Sequence, residues 1–263
     1  MSIPSPPGAS ALLTVNDIRL RFGGVVALDG VSFTVERGTV CGLIGPNGAG
    51  KTTLFNCLSR LCRADSGTIV FDGHSLFDLP AHIIASIGIG RTFQNPALFD
   101  SMTARENIAI GGQCCSSGGI LANMLRLPVI RREENALAQR TDVLLGSLAL
   151  QFCADRPVTE LTFATRKRVE FARALAVEPK LLLLDEPAGG LNHEEVDRLC
   201  DLITRVRDTF GVTVLLVEHH MNMVARVSDK VVVLNFGRKI AEGTPAEVQR
   251  NQDVVEAYLG RAS

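Results

Sequence analysis

Gly45-Pro46-Asn47-Gly48-Ala49-Gly50-Lys51-Thr52-Thr53 fits the pattern GxxxxGK[ST]. Residue types at this spacing can cradle a chain of phosphates. Glycines let the backbone wrap an anion without side-chain obstruction, so that successive N–H groups point inward as a nest. A helix that starts at the loop adds its positive end at the same place. Lys51 then neutralises β- and γ-phosphate charge, and the Thr52 hydroxyl is a ligand for Mg²⁺. A loop of this kind establishes a nucleotide site and leaves the task open, since kinases, GTPases and DNA-repair ATPases share it.

Leu181-Leu182-Leu183-Leu184-Asp185-Glu186 is an apolar run ending in adjacent acids. A buried strand would deliver Asp185 to the carboxyl edge of a sheet, beside the phosphate loop, to hold Mg²⁺ directly or through water. Glu186, one residue on, is placed to polarise an attacking water as general base. Adjacent carboxylates at a strand end repel each other unless a cation is present. The next apolar strand ends in Val217-Glu218-His219-His220. An imidazole at that edge can hydrogen-bond the γ-phosphate and sense it. Gln94, in Arg91-Thr92-Phe93-Gln94, carries no signal by residue type alone.

The elements needed to position these groups are legible in the pattern. Short strands are predicted at Leu12–Leu20, Val31–Val35 and Thr68–Phe71, with turns at Phe22-Gly23-Gly24 and Arg37-Gly38. Val40–Ile44 reads as a strand buried on both faces that leads into the glycine loop, and a helix follows from about Lys51 to Arg60. Apolar strands at Leu181–Leu184, Val212–Val217 and Lys230–Leu234 alternate with amphipathic helices at about Arg166–Val177 and Glu194–Thr209. Such alternation predicts an α/β core with a parallel sheet. Between roughly Pro96 and Val158 strand signals are lacking, residues 133–150 have helical composition and Gly111–Gly119 reads as a flexible loop. This stretch, about 96–160, is expected to be a helical subdomain set into a single domain over 11–260. Residues 1–10, rich in Ser and Pro, are expected to be a flexible tail and lack the features of a signal peptide.

Composition narrows the function classes. The chain of 263 residues has 46% hydrophobic residues, enough for a large core, and a formal net charge of −1. That balance gives no bulk attraction to nucleic acid or anionic lipid. No apolar run reaches the ~18 residues of a membrane span. The 7 cysteines show no CxxC spacing, and Cys114 and Cys115 are adjacent, so free thiols in a reducing, cytosolic compartment are expected.

Together these motifs resemble the ATP-binding subunits of ABC transporters, from about Leu12 to Gly260. The resemblance implies a P-loop NTPase core, RecA-like with a mostly parallel sheet, an N-terminal antiparallel β subdomain and an inserted helical subdomain. It makes Gly45–Thr53 the Walker A loop, Gln94 the Q-loop glutamine that reaches Mg²⁺, and Leu181–Asp185 Walker B. Glu186 becomes the catalytic glutamate, Gly189–Asn192 the D-loop, His219 the switch histidine and Phe22 the aromatic that stacks on adenine. ATP and Mg²⁺ are the implied ligands. Phe22-Gly23-Gly24, Arg91–Gln94, Leu191-Asn192, Glu218-His219 and Glu256–Gly260 are similar to the branched-chain amino acid importer subfamily. Such importers combine two different ATP-binding subunits with permeases and an external substrate-binding protein. The subunit would then lie on the inner face of the membrane, held through the permease. Related chains that act on DNA or ribosomes usually carry long coiled coils, tandem domains or basic arms, and this sequence has none.

One motif departs from the family. Leu-Ser-Gly-Gly-Gln, the loop expected to cap the partner's ATP, is here Leu161-Thr162-Phe163-Ala164-Thr165. Thr162 keeps a hydroxyl. Ala164 replaces a glycine, and its methyl would crowd a close approach or strain any backbone with positive φ. This raises two expectations of equal standing, a heterodimer with one weak ATP site or an Ala164 that is tolerated with both sites firing. A regulatory module that has lost hydrolysis is a separate rival reading, which Glu186 and His219 oppose.

Overall fold

The computed structural model describes residues 11–113 and 128–259. Two sheets organise them. The first is antiparallel, in the order β2-β1-β4-β5 (β1 Ala11–Phe22, β2 Val25–Glu36, β4 Ser66–Phe71, β5 His74–Ser75). The second has six strands in the order β10-β9-β3-β8-β7-β6. Its members are β3 (Val40–Ile44), β6 (Ile89–Arg91), β7 (Leu181–Asp185), β8 (Thr213–Val217), β9 (Lys230–Asn235) and β10 (Arg238–Gly243). All neighbours in it are parallel except the edge strand β10. The α/β, P-loop NTPase reading with an antiparallel N-terminal sheet is thus the observed architecture.

The central strands are continuous apolar runs because both of their faces are covered. Every residue of β3, β7 and β8 is buried. Alternate side chains enter different cores: Leu181 and Leu183 join the cluster containing Phe55 and Leu58 of α1 (Lys51–Leu58), and Leu182 and Leu184 face the other way. That second cluster includes Val169 and Phe171 of α4 (Phe163–Leu175) and Ile203 and Val206 of α5 (His193–Phe210).

The helices between the sheet strands are α2 (Ala104–Gln113) and α3 (Pro128–Ser147), both packed near α4. Gly111 and Gly112 lie inside α2, so the loop expected over Gly111–Gly119 does not begin there. Close packing explains the glycines: a Cβ at Gly111 would meet the Arg173 carbonyl at 2.2 Å. The remainder of that loop, Cys114 and Cys115, and the expected tail over 1–10 lie outside the described residues. Helix α1 ends at Leu58 and not Arg60, where φ is +58. Helix α4 begins earlier than Arg166 because Thr162 caps it, its hydroxyl accepting the Thr165 N–H at 3.3 Å.

The chain closes with α6 (Met221–Val227), α7 (Pro245–Arg250) and α8 (Gln252–Leu259), none of which the apolar periodicity marked. They are too short for the periodicity to register, but α7 carries a capping box of Thr244 and Glu247 with Pro245 in its first turn. No helix among the described residues is long and apolar enough to cross a membrane.

Candidate ATP site

Register assembles the site. Leu43 of β3 and Asp185 of β7 both pair with Val217 of β8. The chain therefore leaves adjacent strands at Gly45, Glu186 and Glu218 on one sheet edge. Beyond β7, β6 ends at Arg91, paired with Leu183, and runs on through Thr92, whose N–H donates to the Leu183 carbonyl at 2.9 Å. Gln94 is brought to the same edge.

The loop Gly45–Gly50 is shaped by glycines. Gly45 has φ +152, and a Cβ there would sit 2.1 Å from the Leu234 carbonyl oxygen. Gly48 (φ +80) faces open space, and Gly50 (φ +100) is the residue before α1. Helix α1 points its unpaired first N–H groups into this loop, with Lys51 and Thr52 in its opening turn and Thr53 behind. Lys51 is buried and folds back, Nζ donating to the carbonyls of Gly45 at 2.7 Å and Pro46 at 3.0 Å. Desolvation lowers its pKa, against the attraction of Glu186 and Asp185. Pro46, Asn47 and Ala49 complete the turn, held by the Ala49 N–H on the Pro46 carbonyl at 3.2 Å.

The acids facing this loop differ in surroundings. Asp185 is buried and pairs with Arg91, Nη2 to Oδ2 at 3.0 Å. Glu186 adopts φ +46, a backbone conformation costly for a side chain with a Cβ. Its N–H continues the sheet to the Val217 carbonyl at 2.9 Å, and its carboxylate accepts from the Gln94 amide at 2.8 Å. His219 lies with Nδ1 4.0 Å from the Glu186 carboxylate, half exposed. An anion nest facing oxygen donors is the donor set that a Mg²⁺-bound polyphosphate requires.

Several positioning groups escaped the reading of the sequence. Glu218 is fully buried and accepts four N–H groups: Ala188 at 2.8 Å, His219 at 3.0 Å, His220 at 3.3 Å and the His220 ring Nδ1 at 3.1 Å. Glu170 of α4 is also buried, which pushes its pKa up, and accepts the Phe93 N–H at 3.0 Å. Its signal was available: an acid between Val169 and Phe171, on the face of α4 that enters the core. Lys167 donates to the Pro187 carbonyl at 3.1 Å.

Other expected residues stand apart. Thr162 and Ala164 open α4 and, among the described residues, make no hydrogen bond to the phosphate loop. Ala164 is helical and does not have positive φ, so the strain expected for it there does not arise. Phe22 ends β1 and is 55% exposed.

Residues 28–189 match the family described as ABC transporter. The chain belongs to the ABC transporter ATP-binding family. ATP-binding subunits of this family hydrolyse ATP to power transport, and this chain is such an ATPase. Residues 238–263 of this ABC subunit also match the branched-chain amino acid ATP-binding cassette transporter family. It is 42% identical to the high-affinity branched-chain amino acid transport ATP-binding protein BraF of Pseudomonas aeruginosa, over 95% of this chain and 98% of the relative. Identity to LivG of Escherichia coli, described in the same terms, is 39% over the same shares. Among solved structures it resembles the ADP conformation of MJ1267, an ATP-binding cassette of an ABC transporter. There the TM-score is 0.82 and the identity 32%, covering 95% of this chain and 99% of the other.

Proposed function

We propose that this subunit drives the import of branched-chain amino acids or closely related small solutes. The observation that carries this reading is the similarity to BraF along nearly the full length of both chains, which extends to the C-terminal helices. Partners follow from it: a second, non-identical ATP-binding subunit, permease subunits in the membrane, and an external substrate-binding protein. The chain would sit on the cytoplasmic face, docked on the permease, as a single domain over 11–260 with its helical subdomain over about 96–160.

Within the site, the N–H groups of Gly45–Thr53 and Lys51 hold the phosphates, and Phe22 stacks on the base. Thr52, Asp185 and Gln94 surround the position for Mg²⁺, which when bound neutralises charge that develops between the β- and γ-phosphates. Glu186 takes the proton of the water that attacks the γ-phosphorus, and His219 steadies the γ-phosphate. Thr162 and the first turn of α4 face the partner's nucleotide, a reading supported by their lack, among the described residues, of any hydrogen bond to their own phosphate loop.

Reconstitution of the transporter in vesicles, with the external binding protein and radiolabelled leucine, tests this. ATP-dependent leucine uptake that disappears with Glu186→Gln is expected. Robust ATPase activity in vesicles that accumulate neither leucine, isoleucine nor valine would defeat the substrate assignment.

A further inference from the structure

Asp185 has a cation bound to it, and that cation is not Lys51. Lys51 spends its ammonium on the loop carbonyls of Gly45 and Pro46. The partner is Arg91, whose side chain is 10% exposed against 8% for the aspartate. Register explains the meeting: Arg91 pairs with Leu183, and Asp185 lies two residues on, so all three project from the same face of the sheet. That face is the one covered by α1.

The guanidinium is fixed from several sides. Nη1 donates to Asn56 Oδ1 at 3.0 Å, Ser59 Oγ at 2.9 Å and the Phe55 carbonyl at 3.3 Å, all on or just past α1. Its plane lies near the rings of Phe55 (5.7 Å) and Phe93 (5.0 Å). Nη2 takes Oδ2 of the carboxylate at 3.0 Å, and Nε is buried without a hydrogen-bond partner among the described residues. A planar guanidinium anchored at Nη1 holds Nη2 in place, so its charge-assisted bond restrains the carboxylate at Oδ2.

We propose that Arg91 is a positioning residue for the metal-facing carboxylate. By occupying Oδ2 it turns Oδ1 of Asp185 toward the Mg²⁺ position between the phosphate loop and Gln94. The inference rests on the nucleotide reading of the site. Arg91 is also three residues before Gln94 on the same segment, so the contact ties the aspartate's orientation to the segment bearing that glutamine.

Mn²⁺ affinity of the full-length chain with ADP bound, read by electron paramagnetic resonance, separates this from a buried ion pair with only a stabilising role. Loss of a group that orients a metal ligand costs about tenfold or more in metal affinity. For Arg91→Met a drop of about tenfold is expected, and for Arg91→Lys, which keeps the charge without the fork, a drop of at least about threefold. Metal-free ADP affinity should stay within about twofold of wild type in both, because Arg91 touches no phosphate-loop group. Mn²⁺ binding within about threefold of wild type in the folded variants overturns the proposal. So does a parallel loss of metal-free ADP binding, which would make Arg91 a strut of α1. If Arg91→Met fails to fold, Arg91→Lys decides. Failure of the wild-type chain to bind ADP would instead sink the nucleotide assignment.

Discussion

The side-chain amide of Gln94 donates to the Glu186 carboxylate at 2.8 Å, joining the segment after β6 to the acid that follows β7. Each is held from behind. The Phe93 N–H is fixed by Glu170, and the Glu186 N–H by the Val217 carbonyl. The proposed general base is therefore oriented by the same segment that is proposed to face the metal.

Replacing Glu186 by Gln keeps the shape and the contact with Gln94 but removes the proton acceptor. Phosphate release should fall about 10²–10⁴-fold, the span associated with a positioned general base. Nucleotide affinity, measured by titration with a fluorescent ATP analogue, should stay near wild type. Turnover within a few fold of wild type would take the general-base role from Glu186.

Gly190 predicts a coupled stability effect. It has φ +78, and a Cβ there would lie 2.8 Å from the Phe163 ring. Gly190→Ala should therefore destabilise the chain by about 1–2 kcal/mol from backbone strain, plus the cost of displacing the ring. Phe163→Ala in the same chain should recover only the second part. Urea denaturation of the singles and the double would show an interaction energy of at least about 0.5 kcal/mol. Strict additivity would mean that the ring moves aside freely.

Ala164 shows where the sequence misleads and where it does not. Glycine's absence from the signature suggested a strained backbone, because the loop's conformation cannot be read from residue types. In the structure the Thr162 cap draws Phe163 and Ala164 into α4, where alanine is the better residue. Ala164→Gly should accordingly lower stability by about 0.5–1 kcal/mol in urea denaturation, and a gain would contradict the helical assignment.

The chemistry at the sheet edge was legible because its groups are local in sequence. Gly45–Thr53 and the run into Asp185-Glu186 each declare a strand end by apolar residues followed by a loop or acids. The contacts that hold these groups are not local. Arg91 to Asp185, Glu218 to Ala188 and Glu170 to Phe93 join distant segments, and only the parallel register of β3, β8, β7 and β6 brings them together. Short elements were also lost: β5, β6 and α6 hold too few residues for any period to repeat.

Acid stability should depend on Asp72, in the turn between β4 and β5. It accepts from Lys180, which precedes β7, and from Arg37, which follows β2, so it ties the antiparallel sheet to the start of a core strand. The Lys180 and Arg37 hydrogen bonds lower its pKa from 3.8 to about 2. A carboxylate depressed on folding stabilises the folded chain above its unfolded pKa, and that contribution is lost as pH falls through the folded value. The window is therefore from about pH 4 down to about pH 2. Urea midpoints should fall across that window in the wild-type chain, and less steeply in Asp72→Asn, which is already weaker at pH 7. Parallel profiles for the two proteins would show that the carboxylate titrates alike in the folded and unfolded chain, and would remove Asp72 from the account of acid stability.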